Sequence, residues 1–322
     1  MWPRLLLALI FLTAILTTVE GLAQTYPAKP VRVVVPASPG GASDLVTRVV
    51  ATALGERLGQ AFVVENRVTS GGIIGTQQVA EAMPDGYTLL GTFDTFAINP
   101  YLFKGLKWDP VRDFAPLMQV CRYPQVLLVH PSLGVKTVQE FVALAKEKGA
   151  SLNYGSAGPA SSSRLAYELF KDTAGIETIG IHYKGGGPAI QDLLSGQVQV
   201  MLIQGGGAIP QYVKTGKLVA LGVSSLERSK FYPELPTIAE TYPGFESESW
   251  VGLFAPAATP RPVVEQLHSS LTAILADSSV KSRLESQGCD VVGGPAETMA
   301  ARVRNDQVKW SRIIHDKNIT VQ

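Results

Sequence analysis

The chain repeats one local unit: an apolar run, a loop of small residues, then a stretch with a helical stripe. "VRVVV" (31–35) leads through "PASPGGASD" (36–44) into "LVTRVVATALGERL". There Leu45, Val46, Val49, Val50, Ala53, Leu54 and Leu58 share one stripe. The unit returns as "SLNYG" (151–155), "SAGPASSS" (156–163) and a stripe of Leu165, Ala166, Leu169 and Phe170. A continuous apolar strand followed at once by a helix is the pattern of a parallel sheet covered on both faces. The pattern therefore predicts an α/β protein. With 46% hydrophobic residues in 322, it has ample material for a packed core.

The first residues belong to a different class. "MWPRLLLALIFLTAILTTVEGLAQ" carries one early charge, Arg4, an apolar run from Leu5 to Leu16, and small residues at Gly21 and Ala23. That is the layout of an export signal, with cleavage expected after Ala23; a retained membrane anchor is the alternative. The apolar run is short for a bilayer span. Loss of Arg4 and Glu20 removes one charge of each sign, so the mature chain keeps a net charge of +1. Neither a nucleic acid nor a membrane surface is an expected partner. Cys121 and Cys289 lie far apart in the sequence. Export permits a disulfide between them, and two buried thiols are the simpler expectation.

Along the chain, further strands are predicted at 61–66 and 87–93, with a helix at 73–82 between them. A long extended segment follows at 119–132. Thr137 and Glu140 form a capping-box pattern ahead of a helix. Strand-to-helix units then recur at 179–187, 197–207 and 218–223, and "SWVGLFAPAATP" (249–260) is extended. Helical patterns cover 262–276, 278–287 and 296–316. We read two lobes, with the chain crossing near 119–124 and back near 247–253. Two crossings make a hinge, and the cleft between lobes is the natural ligand site.

Ligands in open parallel sheets sit beyond the carboxyl ends of the strands, at helix N-termini. There unpaired N–H groups and a partial positive charge hold an anion without Lys or Arg. "PASPGGASD" and "SAGPASSS" suit that chemistry, because small side chains let a ligand approach the backbone. Tight packing alone is the competing explanation for either loop. Asp44 reads as an N-cap. There is no phosphate-binding loop, zinc-protease motif, C-x-x-C or G-x-S-x-G elbow. His130, His182, His268 and His315 lack metal-ligand spacing. Ser156 has no base that the sequence identifies. No cofactor, metal or catalytic residue is expected.

The segments "YPAKPVRVVVPASPGGASD", "VVENRVTSGGIIGTQQVAEAMPDGYTLL", "INPYLF", "DPVRDFAPL", "LNYGSAGPASSSRLAYELF", "YKGGGPAIQDLLSGQV" and "RSKFYPELPTIAE" carry a resemblance. Together they make the chain similar to receptors of the tripartite tricarboxylate transporter system, the Bug family of extracytoplasmic solute receptors. The resemblance implies a two-lobed periplasmic binding protein of type II, with a hinge of two crossing segments. It assigns 1–23 to the signal peptide, 24–122 and 248–322 to one lobe, and 123–247 to the other. It implies capture of a small carboxylate and delivery to the membrane subunits of a transporter, by a monomer and not by an enzyme. Docking to a signalling protein, or serine hydrolysis through Ser156 or Ser161, are the alternatives.

The implied site takes Ala37, Ser38, Gly40, Gly41 and Ala42 from the first loop. Ser156, Ala157, Gly158, Ala160, Ser161 and Ser162 come from the second, with Thr92, Asp94, Thr95, Tyr183, Gly185, Gln204 and Trp250 around them. Two departures bear on the ligand. Relatives often carry "GNGSSSH" where this chain has "GPASSSR" (158–164), and an aspartate near the strand end that reads "VMLIQGGG" here. Asp94 suits an ammonium group on the ligand, or else caps a turn. Phe93, Phe96 and Trp250 cover a ring, or else belong to the core. The expected ligand is a carboxylate bearing an amino or aromatic group.

Overall fold

The computed structural model describes residues 26–68 and 70–321; the expected signal peptide lies outside them. Its strands are β1 (Val31–Val35), β2 (Phe62–Asn66), β3 (Thr88–Phe93), β4 (Phe114–Val129), β5 (Asn153–Ser156), β6 (Ile179–His182), β7 (Val200–Gln204), β8 (Val219–Val223), β9 (Glu248–Pro256) and β10 (Asp290–Val291). Its α-helices are α1 (Ala42–Leu58), α2 (Ile73–Ala80), α3 (Thr95–Leu102), α4 (Val138–Lys148) and α5 (Ser162–Ala174), then α6 (Gly186–Leu194), α7 (Ile209–Lys214), α8 (Arg261–Ala276), α9 (Ser278–Glu285) and α10 (Ala296–Asp316).

Two sheets share one strand. In the first, β1 lies between β2 and β3, parallel to both, and β3, β9 and the first part of β4 follow in antiparallel order. The valines of β1 at 31, 33, 34 and 35 are fully buried, as a strand covered on both faces requires. One face packs α1, α8 and α9; the other packs α2, α3 and α10. The last part of β4, Gln125–Val129, lies between β7 and β8 in the second sheet, which β5 and β6 extend in parallel. There α4 and α5 cover one face, and α6 and α7 the other.

The lobes therefore meet where β4 passes from one sheet to the next and β9 returns beside it, Pro124 pairing with Glu248. Ser224 pins this crossing: its hydroxyl accepts from Gln125 N at 2.8 Å and donates to the Ser247 carbonyl. A second bridge is apolar. Ile98 and Leu102 of α3, Leu165 of α5, and Trp310, Ile313 and Ile314 of α10 form one cluster.

Three local expectations change. Cys121 and Cys289 form a disulfide joining β4 to the residue just before β10, not two free thiols. The β4–β10 register sets Cys121 opposite Val291, and the cysteine Cα atoms lie 5.3 Å apart, within bonding range. Thr137 caps α4 by accepting from Glu140 N, but the Glu140 carboxylate accepts from Lys136 N rather than completing a reciprocal box. Asp44 is not the N-cap of α1; Gly41 is.

Candidate functional site

Five helix N-termini meet at a cavity of about 850 Å³ between the sheets. From one lobe come α1, behind Gly41 and Ala42, α2, behind Gly71 and Gly72, and α3, at Thr95. From the other come α5, behind Ser161 and Ser162, and α6, behind Gly185 and Gly186. First-turn amides have no intrahelical partner, so the wall carries a concentration of free N–H groups and positive dipole ends.

Each loop is braced from outside the cavity. Gly40 takes φ +79° and gives its N–H to the Asp44 carboxylate at 2.8 Å. Arg48 and Asn66 donate to the same carboxylate, and Asn66 also donates to the Ala37 carbonyl at 3.0 Å. Burial would push the Asp44 carboxyl up, but Arg48, the Gly40 amide and Asn66 outweigh it and hold the group below its ordinary range. Gly72, at φ +71°, packs on Pro36 so closely that a Cβ would lie 2.8 Å from the Pro36 carbonyl oxygen. In the other lobe Ser161 caps α5 by accepting from Arg164 N, while its hydroxyl donates to the Gly158 carbonyl at 2.7 Å. Tyr183 N and Gly185 N donate to the carbonyls of Ser156 and Ala157, which ties the α6 entry to the α5 loop.

No Asp or Glu lines this cavity among the described residues, and Lys184 is the one side chain there with a formal charge. Phe93, Val68, Ile203, Val251 and Val321 supply apolar wall. The arrangement favours an anion at the helix ends and an apolar body beyond it.

Residues 46–319 match the model of the tripartite tricarboxylate transporter family receptor. The chain belongs to this receptor family. It is 35% identical to the periplasmic binding protein BugD, covering 91% of this chain and 99% of that one, with a TM-score of 0.77. Rpa4515 of R. palustris, with adipate, is 31% identical over 91% of this chain and 99% of that one, TM-score 0.81. MatC of Rhodopseudomonas palustris, with bound malate, is 32% identical over 90% and 100%, TM-score 0.76. The protein is a periplasmic-type solute-binding receptor in fold and family.

In this receptor the cavity wall takes in Ala37, Ser38, Gly41 and Ala42 from the first loop, and Ala157, Gly158, Ala160, Ser161 and Ser162 from the second. Thr95, Tyr183, Gly185 and Gln204 complete the group that the sequence had brought forward. Five others lie off the wall. Gly40 turns the loop behind it, and Thr92 is buried in β3. Ser156 is fully buried beside His182, their Oγ and Nδ1 being 2.8 Å apart.

Trp250 does not cover a ring; it is fully buried and donates Nε1–H to the Asp306 carboxylate at 2.6 Å. Phe96 stacks in the same core against Trp108. Neither ring lines the cavity, whereas Phe93, at the end of β3, does.

Asp94 precedes α3 and is 2% exposed, off the cavity wall, with Oδ1 lacking a hydrogen-bond partner. Burial pushes its carboxyl up to about 6; the charge of Asp306 adds to this, while nearby Ser249, Ser162 and the Thr95 amide oppose it. Arg164 also points away from the cavity. Its Nη1 donates at 2.8 Å to the carbonyls of Pro159 and Thr320, tying the α5 loop to the segment after α10 that brings Val321 to the wall.

Several wall residues had no signal in the sequence. Val68, Val251 and Val321 arrive from distant segments, and Gln125 lies in the middle of β4. Gly71 and Gly72 were legible only as a turn; the cap Gly72 enters its helix left-handed, whereas Gly41 and Ser161 enter theirs extended.

Proposed function

We propose that this receptor captures a small carboxylate with an apolar or aromatic body in the interlobe cavity and delivers it to the membrane subunits of a tripartite tricarboxylate-type transporter. The observation that carries the reading is the meeting of five helix N-termini in a cavity whose wall holds no Asp or Glu among the described residues. A carboxylate there replaces its hydration with backbone N–H groups in a favourable dipole field. The solved relatives with adipate and malate support a carboxylate of this size.

Of the ring and the amino group expected on the ligand, we carry forward the ring. Phe93 and its apolar neighbours offer it a surface, while Asp94 lies off the wall. The ligand contacts we propose are the loop residues at 37–38, 41–42, 157–158 and 160–162, with Thr95, Tyr183, Gly185 and Gln204. We place the lobe boundaries at 122/123 and 247/248, within the β4 and β9 crossing. We further propose export to the periplasm as a monomer after cleavage near Ala23. Among the described residues no helix is long and apolar enough to cross a membrane.

A thermal-shift screen of small mono- and dicarboxylates, each paired with its neutral amide, tests the reading. A ligand at about 100 times its Kd raises stability by roughly 2.7 kcal/mol. The acid is expected to shift the melting temperature and the amide to leave it unmoved. A panel in which no carboxylate acts, or amides act equally, ends the proposal.

A further inference from the structure

At the floor of the cavity two carboxamides stand side by side. Gln125 of β4 and Gln204 of β7 are direct partners in the antiparallel register, so their side chains leave the same face of the sheet. Both line the cavity. Gln125 is 1% exposed, and its Oε1 is buried without a hydrogen-bond partner. Its backbone cannot shift to relieve this, because Ser224 Oγ and the β4 ladder hold it at the hinge. A buried amide oxygen left unpaired loses its hydration without compensation, so the floor favours an occupant that brings a donor.

The surroundings restrict that donor further. Ile203, Val251 and Phe93 are the apolar neighbours on the wall, and Lys184 is exposed. An ionised group at the floor would be desolvated with only amide dipoles for company, which is costly. An uncharged group that both donates and accepts fits two carboxamides, since each amide offers a carbonyl oxygen and an NH2 group.

We propose that Gln125, with Gln204, reads a hydroxyl or carboxamide on the ligand, making this a receptor for hydroxy- or amide-substituted carboxylates. The inference rests on the carboxylate-capture reading and names the ligand class within it. Gln125 is then a specificity-determining residue at a position where the cavity touches the hinge. A ligand that satisfies its amide also bonds the strand that joins the lobes.

Calorimetric titration of matched acids tests this: malate against succinate, and mandelate against phenylacetate, which differ only by the hydroxyl. The hydroxy acid of at least one pair is expected to bind ten-fold or more tightly than its deoxy partner. Gln125→Leu should bring the two within about two-fold, because the hydroxy acid loses more affinity than the deoxy acid. A merely structural role for Gln125 would weaken both acids together and preserve their ratio.

Equal affinities in the wild-type protein overturn the proposal, as does a ratio that survives Gln125→Leu. Should that variant fail to fold, the wild-type ratio decides. Binding of both acids without preference sinks the floor assignment alone. If neither pair binds, nor any carboxylate of the thermal-shift panel, the capture reading falls with it.

Discussion

Ser156 Oγ and His182 Nδ1 lie 2.8 Å apart, facing each other across the parallel register of β5 and β6. Neither residue lines the ligand cavity, and Ser156 is fully buried. A serine and a base are thus present without access for an acyl substrate, which is what nucleophilic catalysis requires. The pair instead fixes the strand end from which the α5 loop springs. Ser156→Ala is expected to lower stability by about 1 kcal/mol, the usual net worth of one hydrogen bond, measured by urea unfolding. Burial, with the Arg164 charge adding to it, pushes His182 down from 6.5 to about 4. The unfolded chain then takes up this proton first as the pH falls. The His182 contribution is complete above about pH 6.5 and is lost between there and about pH 4. His182→Gln should flatten that part of the stability profile.

Asp94 works in the opposite direction. Its folded-state value of about 6 stands above 3.8, so the folded protein binds the extra proton between those limits. Stability from this group is fully present below pH 3.8 and is lost as the pH rises through about 6. Asp94→Asn removes that loss and is expected to stabilise the protein at pH 8 by on the order of 1–3 kcal/mol, with little effect at pH 4. Melting curves at the two pH values check the sign. Ammonium-bearing acids should bind the variant within about two-fold of wild type; a ten-fold loss would return Asp94 to the ligand site.

Ser38 is exposed on the cavity wall beside the entry to α1, and the Gly41 N–H is held by its backbone carbonyl, not by its hydroxyl. Ser38→Asp therefore adds a carboxylate near a helix N-terminus without removing a hydrogen bond. Stability should change by only about 0.3–1 kcal/mol, in the favourable sense. Carboxylate affinity should fall at least ten-fold, since two like charges about 4 Å apart in such a site repel by more than 1.4 kcal/mol. Unchanged affinity would place the ligand's anionic end elsewhere.

The Cys121–Cys289 disulfide closes a loop across a sequence separation of 168 residues, and both cysteines are fully buried. Replacing both by alanine is expected to cost about 2–5 kcal/mol, largely through the freed unfolded chain. Chemical denaturation of the double variant checks this. Reductant should act slowly on the folded protein, because the bond has no solvent access, and quickly once denaturant opens it.

The parts of the site legible in the sequence are those that a few neighbouring residues build. "PASPGGASD" and "SAGPASSS" announce helix entries because a missing Cβ and a short hydroxyl act locally, within one turn. The parts that were not legible depend on register and on chain crossing. Nothing near Ser156 in sequence points to His182; only the pairing of β5 with β6 does. The resemblance implied Asp94 and Trp250 as ligand groups, yet Trp250 turns to Asp306 of α10, and Asp94 is buried off the cavity wall.

The sequence by itself determined the alternation of strands and helices, and the two small-residue loops that open helices with unpaired amides. These follow from periodicity and from unpaired amides, which are properties of short segments. Tertiary structure alone decided which loops face each other, that Cys121 meets Cys289, and that Gln125 stands beside Gln204 at the hinge. These two residue pairs are 168 and 79 positions apart in the chain. Such pairs are set by the burial of whole faces and by strand register, which no short segment encodes.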